Sequence, residues 1–363
     1  MKVLSITNLC HGYAATLPER SLYRGLASRG VDLIVMTHYS TPESQELENA
    51  GIRVIYLNID RKFDPNVIRT LRRIIEEENI DILHMTFGKA LTNGLIASRK
   101  TSCRIVAYLG SISLYWHDPF SYVSYLNKRI DKLICLSNGV EEHVLRQAPK
   151  RMKGKTVRIY KGYDTAWFSN VNAVTRTSLN IPENGFIVCC VANVRRIKGI
   201  PWLIKASDYL PEKLPVYFLL IGPGMDSESI KSQIGRSRYS GNFRTVGFTN
   251  EVLSYTASCD LYVQPSLTEG LGRSVVEAMC LGKPAIVSGT GGVDELVDEG
   301  NTGYHVPAAS AEAIAEKIKY CFENRHLMPL MGEKAKKRIE TSFNSEQMTD
   351  QTFHLFRSIV SRQ

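Results

Sequence analysis

The chain has 363 residues, a length that suits two domains of ordinary size with a large buried core. Charged residues make up 22% of it and hydrophobic residues 44%, a balance that excludes an intrinsically disordered chain. No apolar run is long enough to cross a bilayer, and the N-terminal MKVLSITNLC lacks the pattern of a signal peptide, so we expect a cytoplasmic protein. The eight cysteines lie mostly within apolar runs and form no C-x-x-C pair, which favours buried thiols over disulfides or zinc ligands.

Positive charge is concentrated in the first half of the chain. Residues 1–165 contain 24 Lys and Arg against 16 Asp and Glu, whereas residues 166–363 contain 21 against 20. Two basic clusters, at 61–73 and 150–161, are suited to an anionic surface such as membrane phospholipid. They can equally be a solvated helix face and loop that keep the protein soluble. The basic half has neither a helix-turn-helix signal nor an evident aromatic-interleaved platform, so nucleic acid is not an expected partner.

Short apolar runs alternate with longer amphipathic segments in the first half. Predicted strands lie at 2–7, 31–37, 52–57, 80–85, 104–109 and 132–137. Predicted helices lie between them at 17–29, 66–77 and 90–100. This alternation indicates a parallel sheet with helices on both faces.

The same alternation restarts after a basic stretch at 146–164. Predicted strands follow at 185–194, 215–222, 242–248, 260–266, 284–289 and 302–307, and the pattern from 311 to 362 is helical. Two consecutive series predict an α/β fold with two doubly wound, Rossmann-like domains. We place the N-terminal domain at 1–165, the C-terminal domain at 166–345 and a final helix at 346–363. Ligands of such sheets bind beyond the carboxyl ends of the strands, in the second domain after residues 192, 222, 248, 266 and 288.

Two glycines precede one predicted helix in the segment TEGLGRSVVEAM. These are Gly270 and Gly272, and the first turn of the helix contains Arg273 and Ser274. A helix N-terminus offers unpaired N–H groups and the positive end of the helix dipole, and neighbouring glycines let a phosphate approach the backbone. This loop is therefore a candidate phosphate cradle.

The two glutamates of the same segment allow two interpretations. Glu269 precedes the loop and is placed to accept hydrogen bonds from sugar hydroxyls, and Glu277 is placed to reach the two hydroxyls of a ribose. Alternatively, Ser274 and Glu277 fit the S-x-x-E capping box, in which the glutamate only caps its own helix. Spacing alone leaves both interpretations open.

A second positive element is the turn NVRRIKG, which directly follows the predicted strand FIVCCVA. Arg195, Arg196 and Lys198 stand at the carboxyl end of that strand, where cations can neutralise a diphosphate. The alternative is a solvated basic turn without a ligand.

Taken together, these motifs resemble those of the GT-B fold glycosyltransferases of family 4, the retaining enzymes that use nucleotide sugars. The segment EGLGRSVVE, followed by AMCLGKPAIVS and GGVDELVDEGNTGYHVP, matches the family's signature. Upstream, VRRIKG, FLLIGPG and IYKGYDTAWF are similar to the family's phosphate-binding turn, a glycine-ended strand and the linker. The resemblance covers about Val157 to Pro307 well, and the first half of the chain only in its alternation of strands and helices. It implies two Rossmann-like domains that face a central cleft, an N-terminal acceptor-binding domain, a C-terminal nucleotide-sugar-binding domain, and a final helix that crosses back to the N-terminal domain.

The resemblance also implies roles for individual residues. The expected catalytic residues are Glu269, which contacts the donor sugar, and Arg195 and Lys198, which stabilise the departing diphosphate. The expected donor-binding residues are Arg196, Gly270, Leu271, Gly272, Arg273, Ser274, Glu277 and Gly12. No two aspartates are separated by a single residue, so there is no D-x-D metal motif. We expect no metal and no cofactor, the nucleotide diphosphate sugar being the donor substrate.

The sequence departs from the family pattern at several positions. Gly12 is the one glycine after the first strand, where the family usually has a Gly-Gly loop. Leu109 stands where many members have a histidine, and His84 and His117 are either replacements for that histidine or structural residues. Lys161 replaces the usual asparagine of the linker. These changes leave the identity of donor and acceptor open.

We therefore predict a retaining, metal-independent glycosyltransferase of the hexosyltransferase type, which moves a sugar from a nucleotide diphosphate sugar to an acceptor hydroxyl. The expected acceptor is a glycan or lipid-linked glycan in surface polysaccharide or lipopolysaccharide-type synthesis, and the basic N-terminal domain is expected to contact anionic membrane. Two alternatives stay open. One is a nucleotide-sugar epimerase or hydrolase on the same fold, and the other is a non-catalytic nucleotide-sugar-binding module.

Overall fold

Two units, each built on one parallel sheet, make up the residues that the computed structural model describes, which are 1–10, 13–289 and 291–361. The first unit comprises Met1–Tyr163 and the segment from Phe343 onward, and the second comprises Asp164–Ser342. These divisions lie two or three residues before the predicted boundaries at 165 and 345. The predicted fold class of two doubly wound α/β sheets is confirmed.

The first unit alternates strands and helices along the chain. Its strands are β1 Lys2–Ile6, β2 Asp32–Thr37, β3 Arg53–Tyr56, β4 Ile82–Met85, β5 Arg104–Leu109, β6 Lys132–Cys135 and β7 Thr156–Arg158. Its helices before the second unit are α1 Tyr13–Ser28, α2 Pro42–Asn49, α3 Pro65–Glu77, α4 Gly88–Ala97, α5 Pro119–Val123, α6 Asn138–Gln147 and α7 Pro149–Met152. The seven strands are ordered β3-β2-β1-β4-β5-β6-β7, so the direction of winding reverses between β1 and β4.

Helix α3 shows how the sequence pattern produces these elements. Asp64 caps its N-terminus, because its side chain accepts hydrogen bonds from the N–H groups of Asn66 and Val67. Pro65 occupies the first turn, where its missing N–H has no cost. The buried residues recur at helical spacing and join the core beside the sheet: Val67, Leu71, Ile74 and Ile75.

The second unit repeats this architecture with six strands. They are β8 Phe186–Val191, β9 Val216–Ile221, β10 Phe243–Val246, β11 Leu261–Gln264, β12 Ala285–Ser288 and β13 Gly303–Val306. Its helices are α8 Ile200–Ala206, α9 Glu228–Gly235, α10 Val252–Ala257, α11 Arg273–Cys280, α12 Ala311–Glu323 and α13 Met328–Ser342. The strand order is β10-β9-β8-β11-β12-β13, with a reversal between β8 and β11.

The C-terminal helix, α14 Ser345–Val360, packs against α1 in the first unit. Phe356 is fully buried in a core that also contains Leu26. At the edge of this contact, the Nε–H of Arg29 donates to Oδ1 of Asp350 at 3.0 Å. An apolar core and an ion pair thus hold α14 on the first unit.

No helix in the described ranges combines the length and the apolar character that crossing a bilayer requires.

Replacing Phe356 with Ala should lower the stability of the first unit by about 3 to 5 kcal/mol, because it leaves a cavity between α14 and α1. Urea denaturation followed by circular dichroism measures this change. Gln351→Ala, an exposed substitution on the same helix, is the control and should be nearly neutral. Equal denaturation midpoints for the two variants would show that α14 does not stabilise this core.

Candidate functional site

The strand order of the second sheet determines where its functional loops meet. The crossover from β8 leads to β9 on one side, and the crossover from β11 leads to β12 on the other. A crevice forms beyond the carboxyl ends of two neighbouring strands whose connections diverge in this way, and this position is the switch point of the sheet. The turn at 193–199 leaves β8 and the loop at 265–272 leaves β11. The two motifs that contain most of the predicted site residues therefore lie side by side.

A glycine lets the turn pack directly on the loop. Gly199 has a φ of +68°, and a Cβ at this position would lie only 1.8 Å from the carbonyl oxygen of Pro265. The N–H of Leu267 donates to the carbonyl of Ile197 at 2.7 Å. Only glycine meets both the backbone angle and the close approach, so the sequence at 199 sets the spacing between turn and loop.

This spacing brings Lys198 into contact with Glu269. Nζ of the lysine lies 2.6 Å from Oε2 of the glutamate, and both side chains are half-buried. The hydroxyl of Ser266 donates to the same carboxylate oxygen at 3.2 Å. Arg195 and Arg196 are exposed on the turn and form no ion pair within the described residues. The structure thus joins two of the three predicted catalytic residues and leaves the arginines available to a ligand.

A buried polar network that sequence reasoning missed lies beneath Glu269. The amide nitrogen of Gln264 donates to the hydroxyl of Ser266 at 2.7 Å. The amide oxygen of Gln264 accepts from the hydroxyls of Tyr262, at 3.0 Å, and Ser274, at 3.1 Å. This network orients Ser266 toward Glu269 and engages the hydroxyl of Ser274 within the protein. The available signal in the sequence was the pair of polar residues Gln264 and Ser266, which follows the apolar run LYV.

The start of α11 has the geometry of an anion site. Gly272 precedes the helix with a φ of +88°, and among the described residues no side chain caps this end. The capping-box interpretation of Ser274 and Glu277 is therefore wrong. The N–H groups of Leu271 and Gly272 donate to no acceptor in the described part of the chain. They can bind an anion at the positive end of the helix dipole.

Glu277 lies on the buried side of α11 with 7% of its surface exposed. The cation beside it is Arg273, whose Nε lies 3.4 Å from Oε1. Burial raises the pKa of Glu277 to about 7, and the charge of Arg273 opposes this rise. The carboxyl group therefore titrates near neutral pH. Hydroxyl groups of a ligand that donate to it would stabilise its ionised form.

The two candidate histidines, His84 and His117, belong to the first unit. Gly12 falls outside the described residues. His84 is buried in β4 with Nδ1 2.9 Å from the hydroxyl of Ser5, and burial lowers its pKa to about 4, so it is neutral. His117 is exposed, and its ring stacks on Tyr115 with 5.5 Å between the ring centroids.

Cysteine and acidic side chains form no metal centre in the described ranges. Seven of the eight cysteines are buried as free thiols, and Cys10 is partly buried. No three His, Cys, Asp or Glu side chains gather closely enough there to hold a metal ion.

Two doubly wound parallel sheets in one chain are the architecture of the GT-B fold. The family model Glycosyl transferases group 1 matches residues 172–338, and the model Glycosyltransferase Family 4 matches residues 20–167. The chain belongs to glycosyltransferase family 4, as its motifs predict.

Individual relatives agree with this assignment. An uncharacterized glycosyltransferase of Methanocaldococcus jannaschii is 28% identical over 240 residues, which cover 64% of this chain and 60% of that protein. The lipopolysaccharide core biosynthesis glycosyltransferase LpsE of Rhizobium meliloti is 25% identical over 341 residues, 93% of this chain and 94% of the relative. The structure of Anabaena HepE in complex with UDP-glucose superposes with a TM-score of 0.79 at 22% identity, covering 99% of this chain and 100% of HepE. This likeness confirms the GT-B fold.

Glu277→Gln should stabilise the ligand-free protein at pH 8 and hardly change it at pH 4.5. The raised pKa of the carboxyl favours the folded state fully below about pH 4.5, and this contribution is lost as the pH rises through about 7. A neutral amide avoids the cost of a buried charge, so the gain at pH 8 should be about 1 to 3 kcal/mol. Urea denaturation at both pH values measures it.

The matched control is Glu316→Gln, an exposed glutamate on α12, which should leave stability unchanged at both pH values. If the Glu277→Gln variant and the wild type are equally stable at pH 8, Glu277 has no unfavourable buried charge.

Proposed function

We propose that the chain is a retaining, metal-independent glycosyltransferase that transfers a hexose from a nucleotide diphosphate sugar to an acceptor hydroxyl. The observation that supports this most directly is the contact between Lys198 and Glu269 beside the N–H groups of Leu271 and Gly272. A cation, a carboxylate and two available backbone donors lie at the switch point of one sheet. This combination suits a substrate with a diphosphate next to a sugar.

The donor would bind along α11 and the basic turn. Its diphosphate would accept hydrogen bonds from the N–H groups that precede α11, where the helix dipole, Lys198 and the exposed Arg195 and Arg196 offset its charge. The ribose hydroxyls would donate to Glu277 and so give the buried carboxylate polar partners besides Arg273. HepE has been solved with UDP-glucose, which makes UDP-glucose the first donor to test.

Transfer with retention exchanges two bonds on one face of the sugar. The bond between the anomeric carbon and the β-phosphate oxygen breaks, and the phosphate takes the electron pair. The acceptor oxygen forms the new bond to the same carbon, and its proton passes to the departing phosphate oxygen. Lys198 and the α11 dipole would stabilise the negative charge of the phosphate, and Glu269 the positive charge on the sugar.

We assign acceptor binding to the first unit and donor binding to the second. The net positive charge of residues 1–165 suits an acidic or lipid-linked glycan at an anionic membrane. The similarity to LpsE along 93% of the chain supports a role in lipopolysaccharide-type or surface polysaccharide synthesis.

A thermal-shift screen with UDP-, GDP-, ADP- and TDP-sugars, with and without EDTA, should find one nucleotide class that raises the melting temperature independently of metal. Arg195→Ala and Lys198→Ala should each reduce this stabilisation, because each removes a cation from the diphosphate site. No stabilisation by any nucleotide sugar would contradict the proposed function.

Substitution of the two glutamates should separate binding from transfer. Glu277→Gln should weaken donor binding by roughly tenfold or more, since a hydrogen bond to a charged group contributes about 1.5 to 3 kcal/mol. Glu269→Gln should change the Kd for the donor by less than about threefold relative to wild type. It should lower kcat by roughly a hundredfold, because it removes one charge contact to the transition state. Isothermal titration calorimetry and a radiolabelled transfer assay measure the two effects, with Glu316→Gln as the control.

The products of the same assay distinguish the alternatives. Free sugar or a changed nucleotide sugar without transfer would identify a hydrolase or an epimerase. Tight donor binding without turnover across a broad acceptor panel would identify a binding module.

A further inference from the structure

Exposed apolar side chains and cations share one surface of the first unit. This aromatic–basic surface comprises Lys62, Phe63, Phe120, Tyr122, Val123, Lys128 and Arg151. Its four apolar members are between 38% and 48% exposed, Tyr122 the least and Phe120 the most. A groove of about 390 Å³ lies within it and is lined by Phe63, Tyr122 and Val123. Clusters of exposed apolar side chains of this kind mark interaction sites, because a soluble domain otherwise leaves such residues isolated.

The cations of this surface lie directly on its aromatic rings. Nζ of Lys62 is 3.8 Å from the centroid of the Phe120 ring. The guanidinium carbon of Arg151 is 5.2 Å from the centroid of the Tyr122 ring. Lys128 lines the same groove and has no ion-pair partner among the residues the structure describes. Positive charge and apolar area therefore occupy the same patch and not separate ones.

Two acidic groups beside this surface cap helices. Asp64 accepts from the N-terminal N–H groups of α3, and Asp118 accepts from the N–H of Phe120 at the start of α5. These carboxylates offset the positive ends of their helices and compete little with an external anion for the lysines and Arg151. The surface thus complements a negatively charged partner.

The arrangement favours a lipid bilayer over a glycan as that partner. A sugar ring binds by stacking on an open aromatic face. Here Lys62 covers one face of Phe120, and Arg151 covers one face of Tyr122. The exposed ring edges and the aliphatic Val123 suit insertion at the boundary between headgroups and acyl chains. The lysine and arginine that contact these rings suit anionic headgroups.

We propose that the aromatic–basic surface docks the protein onto an anionic phospholipid bilayer. The proposal rests on the proposed function, because such docking would bring a lipid-linked or membrane-bound glycan acceptor to the first unit. The exposed residues of α5 and of the segment before α3 are not part of the donor site, and the proposal gives them a function.

Vesicle co-sedimentation tests this proposal with the full chain. Wild type should bind vesicles of phosphatidylcholine with phosphatidylglycerol and should bind pure phosphatidylcholine at least about tenfold more weakly. The double variant Phe120→Ser, Tyr122→Ser should lose about tenfold or more of the binding through loss of buried apolar area. Lys128→Glu should weaken it by about fivefold or more, and high salt should reproduce that loss.

The control is Tyr209→Ser, which changes a 49% exposed tyrosine of the second unit and should bind vesicles as wild type does. A circular dichroism spectrum and a melting temperature equal to those of wild type show that each variant is folded. Vesicle binding by the double variant equal to that of Tyr209→Ser would overturn the proposal. Variants that keep vesicle binding but lose binding to an acidic polysaccharide would overturn it as well and would identify a glycan site.

The same experiment separates this proposal from the proposed function. Loss of vesicle binding with normal donor binding and normal transfer to a soluble acceptor supports the docking surface. Normal vesicle binding without any donor binding would contradict the proposed function and leave the docking surface supported.

Discussion

The packing of the turn at 193–199 on the end of β11 determines where the charges of the site lie. Gly199 places the backbone of the turn against the carbonyl of Pro265, and the hydrogen bond between Leu267 and Ile197 holds it there. Any larger residue at 199 would displace the turn and separate Lys198 from Glu269. The electrostatics of the site therefore depend on a backbone contact that contains no charged group.

The two glutamates of the site have contrasting environments, and this contrast supports the separate roles proposed for them. Glu269 is half-buried, paired with Lys198 and hydrogen-bonded by Ser266, so its carboxylate is positioned beside a cation before any ligand binds. Glu277 is buried with Arg273 at 3.4 Å and has a pKa of about 7. The first is suited to a sugar on which charge develops, and the second to neutral hydroxyls that donate to a buried carboxylate.

Much of the fold follows from the sequence, because parallel strands covered on both faces read as apolar runs such as FIVCCV in β8. The glycine-rich loop and the basic turn were also recognisable, since their residues are close in the chain. Contacts between residues that are distant in the chain could not be recognised in this way. Ser274 bonds Gln264 across the strand end, and Phe63 lines one groove with Tyr122. Such pairs depend on how strands and helices pack, which local spacing does not encode.

We infer that a nucleotide diphosphate binds at the switch point of the second sheet. A crystal structure of the protein with the nucleotide diphosphate that stabilises it most tests this directly. We expect phosphate oxygens about 3 Å from the N–H groups of Leu271 and Gly272, with Lys198 beside them and Glu277 in contact with the ribose. A nucleotide bound elsewhere, with those N–H groups unused, would rule out this site.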